Sequence, residues 1–172
     1  MTILLATVLA ASLIGAVSDV RTRRVPNWLV LALLICGLIE NTVLFGWRGA
    51  LADLAVAAAV LAAGTVAFSF KLIGGGDVKL LAAAAGTLGY PAGVSFILLT
   101  LLCGGVLALA YAALRGRLSA TLANVQATAL PLFAGVKPVR PHDGLVMPYA
   151  VAIFAGAICT ATLSLTTLRL LP

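Results

Sequence analysis

Six apolar runs, separated by short breaks rich in charge, glycine or proline, organise this chain from end to end. They extend approximately over Thr2–Ser18, Trp28–Phe45, Leu51–Phe70, Asp77–Leu88, Ala92–Leu114 and Met147–Leu168. A helix needs about 20 apolar residues, with a working range of roughly 17 to 25, to cross the hydrocarbon core of a bilayer. With 63% hydrophobic and 9% charged residues and a mean hydropathy of +1.19, the chain has too little polar surface to cover a soluble fold. The pattern predicts an all-α, polytopic membrane protein of six transmembrane helices, built as a single integral-membrane domain over residues 1–172.

Charge sets the expected orientation. Six alternating crossings from an outside N-terminus put Arg21, Arg23, Arg24, Lys71, Lys79, Arg115, Arg117, Lys137 and Arg140 on the cytoplasmic side and leave Arg48 and Arg169 outside. Positive loops stay in the cytoplasm, so both termini are expected outside. The first run has no Lys or Arg before it and three Arg soon after it, so it is expected to stay as a helix and not to be cleaved as a signal peptide. The net charge of +6 is then a topology signal, and a nucleic-acid partner is not expected. Cys36, Cys103 and Cys159 stand apart in apolar runs without metal-ligand spacing and read as packing residues.

Two stretches depart from the simple pattern. The fourth run is only twelve residues, or about 18 Å of helix, so the preceding Ile73-Gly74-Gly75-Gly76 is expected to enter the membrane as an irregular loop. Such backbone is tolerated at that depth only when buried in protein or lining a wet cavity. Between Arg115 and Leu145, Leu118, Leu122, Val125 and Ala129 recur at helical spacing before Pro131, which predicts a helix lying on the inner membrane surface. A seventh crossing over Leu118–Val136 is the alternative.

Of the five acidic residues, Asp19, Asp77 and Asp143 fall at the cytoplasmic boundary, and Glu40 and Asp53 fall toward the outer one. Asp143 follows the lone His142 in a basic loop, where a solvated interfacial role is the plain reading. Asp19 and Asp77 remain as a candidate pair. Two carboxylates held close together share one proton, and such a dyad hydrolyses amides without a metal or a nucleophilic side chain. The ionised member deprotonates the attacking water while the other protonates the carbonyl oxygen. Gly74, Gly75 and Gly76 carry no side chains to hold an extended substrate away from Asp77, and Lys79 either orients that carboxylate or snorkels to the surface. The plainer readings are a helix N-cap for Asp77 and, for Asp19, a helix-end carboxylate paired with Arg21 or Arg23.

The segments around these acids, Ser18-Asp19-Val20-Arg21-Thr22-Arg23-Arg24-Val25-Pro26-Asn27 and Gly74-Gly75-Gly76-Asp77-Val78-Lys79-Leu80-Leu81, resemble the two signature segments of type IV prepilin peptidases. The second fits the GxGD pattern of those intramembrane aspartyl peptidases, and Met147-Pro148-Tyr149-Ala150 at the last run is also similar to the family. The resemblance covers essentially the whole chain and is to the short forms linked to tight-adherence pili. It implies catalytic aspartates at Asp19 and Asp77 and no cofactor. Its implied substrate is a prepilin or pseudopilin whose basic leader is cut at the cytoplasmic membrane face, before a hydrophobic helix. Longer members carry a cysteine-containing cytoplasmic domain and methylate the new N-terminus. Here the first loop is nine residues without cysteine, which argues against methylation.

The rival class is a small proton- or ion-coupled transporter. It needs ionisable groups near the midplane, and the central stretches Val56–Ala67 and Val94–Leu109 hold none. A non-catalytic assembly subunit built on Ala- and Gly-rich helix surfaces is the third reading.

Overall fold

A computed structural model describes residues 2–69, 73–121, 123 and 149–170. Among these residues the long elements are all helices: α1 (Thr2–Thr22), α2 (Asn27–Phe45), α3 (Trp47–Ser69), α4 (Gly75–Leu88), α5 (Ala92–Leu114) and α6 (Tyr149–Leu170). The chain divides into two compact units, Met1–Gly104 with Pro148–Pro172, and Gly105–Met147. The first holds α1 to α4, the start of α5 and α6. Of the expected surface helix, residues 118–121 and 123 are helical. The remainder, with His142 and Asp143, lies outside the described residues.

Five of these helices, α1, α2, α3, α5 and α6, are long and apolar enough to cross a membrane. The fourth expected run is a helix as well, but its 14 residues reach only about 21 Å.

Helix ends follow local chemistry. Charge at Asp19 and Arg21 suggested that the first helix stops at Ser18, but α1 continues to Thr22 and the connection shrinks to four residues before α2. The backbone stops later because Pro26 lacks an amide hydrogen and restricts the residue before it. Arg23 takes a left-handed conformation, φ 53°, just past the end of α1. Ser18 and Thr22 hydroxyls both donate to the Arg24 carbonyl and hold the turn closed. At the next corner Gly46, φ 70°, lets α2 turn directly into α3.

The short helix is the centre of the first unit. From Val78 to Leu88 every α4 side chain except Lys79 is buried, so α4 is walled by protein on all sides. Small residues allow this: Gly64 of α3 lies against Val78, and Gly15 of α1 lies where a Cβ would stand 2.8 Å from a Leu80 methyl. Close approach over glycine and alanine drives helix association in lipid, where packing replaces the hydrophobic effect. On the outer surface Ile3, Leu13, Ile35, Ile39, Leu98 and Leu102 are exposed, an apolar skin suited to acyl chains.

Candidate active site

Helices α1 and α4 run antiparallel, with Gly15 against Leu80 one turn from the level of Asp19 and Asp77. The last turn of α1 and the first turn of α4 therefore meet. An open cavity of about 290 Å³ lies there, lined by both aspartates with Arg23, Arg24, Val25, Asn27, Gly74, Gly75, Gly76 and Lys79. Every residue singled out in the two sequence segments as a site candidate lines it. The two carboxylates are close enough to act on each other electrostatically.

Asp19 is buried, at 7% exposure, although the sequence suggested a loop. Its Oδ2 accepts a hydrogen bond from the Ala150 backbone N–H at 3.3 Å. Ala150 belongs to the first turn of α6, where amide hydrogens have no partner within the helix. The opening of the last helix therefore aims a donor at Asp19. Among the described residues Asp19 makes no ion pair with Arg21 or Arg23, so the arginine-paired reading fails.

Asp77 is not an N-cap either. Gly74 holds that position in extended backbone, φ −71° and ψ 144°, which puts Asp77 at the third residue of the helix. Among the described residues its Oδ1 is buried without a hydrogen-bond partner. Tyr149, half-buried at the start of α6, lies within electrostatic reach of it. An oxygen so placed can accept from a water or, when the carboxyl is protonated, donate to a substrate carbonyl.

Two of the three glycines have separate reasons. A Cβ on Gly74 would meet Asp77 Oδ2 at 2.7 Å, and one on Gly76 would meet Val25 Cβ at 3.2 Å. Gly76 thus lets α4 start tightly against the α1–α2 connection, a packing role that the sequence reading, concerned with substrate clearance, missed. Lys79 Nζ donates to Asn27 Oδ1 at 3.3 Å, tying the second turn of α4 to the start of α2.

Sequence reasoning missed two other features. The Ala150 amide was invisible because backbone donors leave no mark in composition, although the Pro148-Tyr149 opening is a helix-start signal. The second is a buried polar group at the far end of α4, formed by Asn41, Asp53 and Thr87. The sequence placed Asp53 near the outer boundary and gave it no role.

The profile of the type IV leader peptidase family matches residues 4–109, well over half of the chain and including both aspartates. The chain belongs to the type IV leader peptidase family. Membership implies a peptidase acting on prepilin-type leaders, and the transporter alternative finds no support. Neither the curated proteins nor the solved structures contain a match.

Proposed function

We propose that the chain is an aspartyl endopeptidase of the bacterial inner membrane that removes the leader of type IV prepilins or pseudopilins, with Asp19 and Asp77 as its catalytic pair. The observation that carries this reading is the shared cavity, to which two acids distant in sequence are brought by separate helices. In the proposed mechanism one carboxylate is ionised and takes a proton from the water that attacks the scissile carbonyl carbon. The other, protonated, donates to the carbonyl oxygen. Collapse of the tetrahedral intermediate returns that oxygen to a carbonyl, breaks the C–N bond and delivers a proton to the departing nitrogen.

Gly74, Gly75 and Gly76 line the cavity, the bare face of Gly74 leaves room for an extended substrate beside Asp77, and Lys79, held by Asn27, closes one wall. The nine-to-two distribution of basic residues supports a site at the cytoplasmic face, with both termini outside. In that topology α4, extended by the glycine segment, is the fourth of six crossings.

The test is direct. The purified wild-type chain in liposomes, given a full-length prepilin in the presence of EDTA, is expected to make a single cut between the basic leader and the hydrophobic segment, located by mass spectrometry. Chelation is expected to change the rate by less than about twofold, because a carboxylate pair activates water without a metal. Loss of cleavage on chelation, restored by added zinc, rules out the mechanism.

A further inference from the structure

The buried polar group at the end of α4 has no part in the chemistry described above. Asp53 of α3 is 1% exposed, and among the described residues neither of its carboxyl oxygens meets a donor in hydrogen-bonding geometry. It is packed against two glycines on two other helices. A Cβ on Gly37 of α2 would stand 3.1 Å from Oδ2, and one on Gly86 of α4 would stand 2.5 Å from Oδ1. The Asn41 side chain lies alongside. A carboxyl held this closely has no space around it for a hydrated cation, and an apolar side chain in the same notch would avoid its desolvation cost.

The same place solves a problem that α4 has because it is short. A helix ends with carbonyls that have no partner within it, and Leu88, the last residue of α4, is 5% exposed. The Gly89 N–H serves the Ala85 and Gly86 carbonyls, and the Asn41 amide donates at 3.0 Å to both the Thr87 and the Gly37 carbonyls. Asn41 thus caps α4 from the side while bonding to its own helix. Thr87 Oγ1, with its own bond to the Ala83 carbonyl, stands with Asp53 Oδ2 against the bare face of Gly37. Three helices are keyed together at one level, and only α4 continues from there to Asp77.

We propose that Asp53 is a positioning residue: seated between Gly37 and Gly86 beside Asn41, it fixes α4 along its axis against α2 and α3 and so fixes where Asp77 stands. The proposal rests on the reading of Asp77 as catalytic. Its role is to hold, by shape and polarity, the seat that the glycines leave; its charge does not enter the reaction.

Leader cleavage by full-length variants, purified and normalised to folded protein, tests this. Asp53→Asn keeps shape and polarity and is expected to retain kcat within about threefold. Asp53→Leu is expected to lower kcat at least about tenfold with KM nearly unchanged, since misplacing a reacting group by about 1 Å costs up to about a hundredfold. Asn41→Ala, which uncaps α4 from the other helix, should produce the same split and serves if Asp53→Leu fails to accumulate. A merely stabilising role would lower yield and melting temperature and leave kcat per folded molecule alone, so wild-type kcat in Asp53→Leu or Asn41→Ala overturns the proposal. Asp53→Asn as impaired as Asp53→Leu also overturns it, because ionisation would then be what matters. Asp77→Asn is the control: if that variant still cleaves, the dyad reading fails, whereas an inactive Asp77→Asn beside a fully active Asp53→Leu removes the anchor alone.

Discussion

Asp19→Asn and Asp77→Asn are each expected to lower prepilin cleavage by about a thousandfold or more, with both proteins accumulating in the membrane as the wild type does. The size follows from general acid–base catalysis, where a positioned group contributes about 10² to 10⁴, and from the need for both members of the pair in a single step. Normal accumulation follows from the site's geometry. Asparagine at position 19 keeps a side-chain oxygen to accept from Ala150 N–H. At position 77 the amide replaces a carboxylate whose Oδ1 already lacks a partner, so no hydrogen bond is lost there. The double variant should be no slower than the slower single one, because groups acting as a unit are not additive. The assay is co-expression with a prepilin, reading its mobility at matched peptidase levels. More than about a tenth of wild-type cleavage in either single variant is incompatible with the two-carboxylate mechanism.

Much of this arrangement was legible in the sequence because lipid imposes a strong pattern. The ends of α2, α5 and α6 fall within two residues of the hydropathic breaks, and the two acid-bearing segments do line one cavity. Three things were not legible, each for a physical reason. Charge was taken to end α1, but Asp19 and Arg21 are compatible with helical backbone, and the stop comes from Pro26. The support of Asp19 comes from a backbone amide on the last helix, and such a donor is independent of which side chain is present. The polar group of Asn41, Asp53 and Thr87 is assembled from three helices, so no local spacing announces it. The glycines mislead in one respect. Gly76 reads as room for substrate, yet its bare face is turned to Val25.

Glycines also divide the helices into protein-facing and lipid-facing sides, and two of them give opposite expected results for the same substitution. Gly156 of α6 lies against α5, where an added Cβ would stand 2.7 Å from Thr100 Cα and 2.8 Å from Thr100 N. Backbone atoms within a helix cannot rotate away, so a side chain here must move the helices apart. Overpacking of this kind costs about 1–3 kcal/mol, and separation also exposes the buried Thr100 hydroxyl, which has no partner among the described residues. Gly156→Leu should therefore lower the thermal unfolding midpoint in detergent by about 5–10 °C, scaling from about 2–4 °C per kcal/mol for a chain of this size, and reduce membrane yield. Gly105 of α5 is exposed and has nothing within 4 Å of an added Cβ. Gly105→Leu should leave midpoint and yield unchanged or slightly raised, because leucine favours helix over glycine by about 0.5–1 kcal/mol and lipid solvates its side chain. Thermal unfolding followed by intrinsic fluorescence separates the two. An equal loss in both variants would mean that Gly105 is covered by protein, and a tolerant Gly156 would mean that α5 and α6 are not packed backbone to backbone.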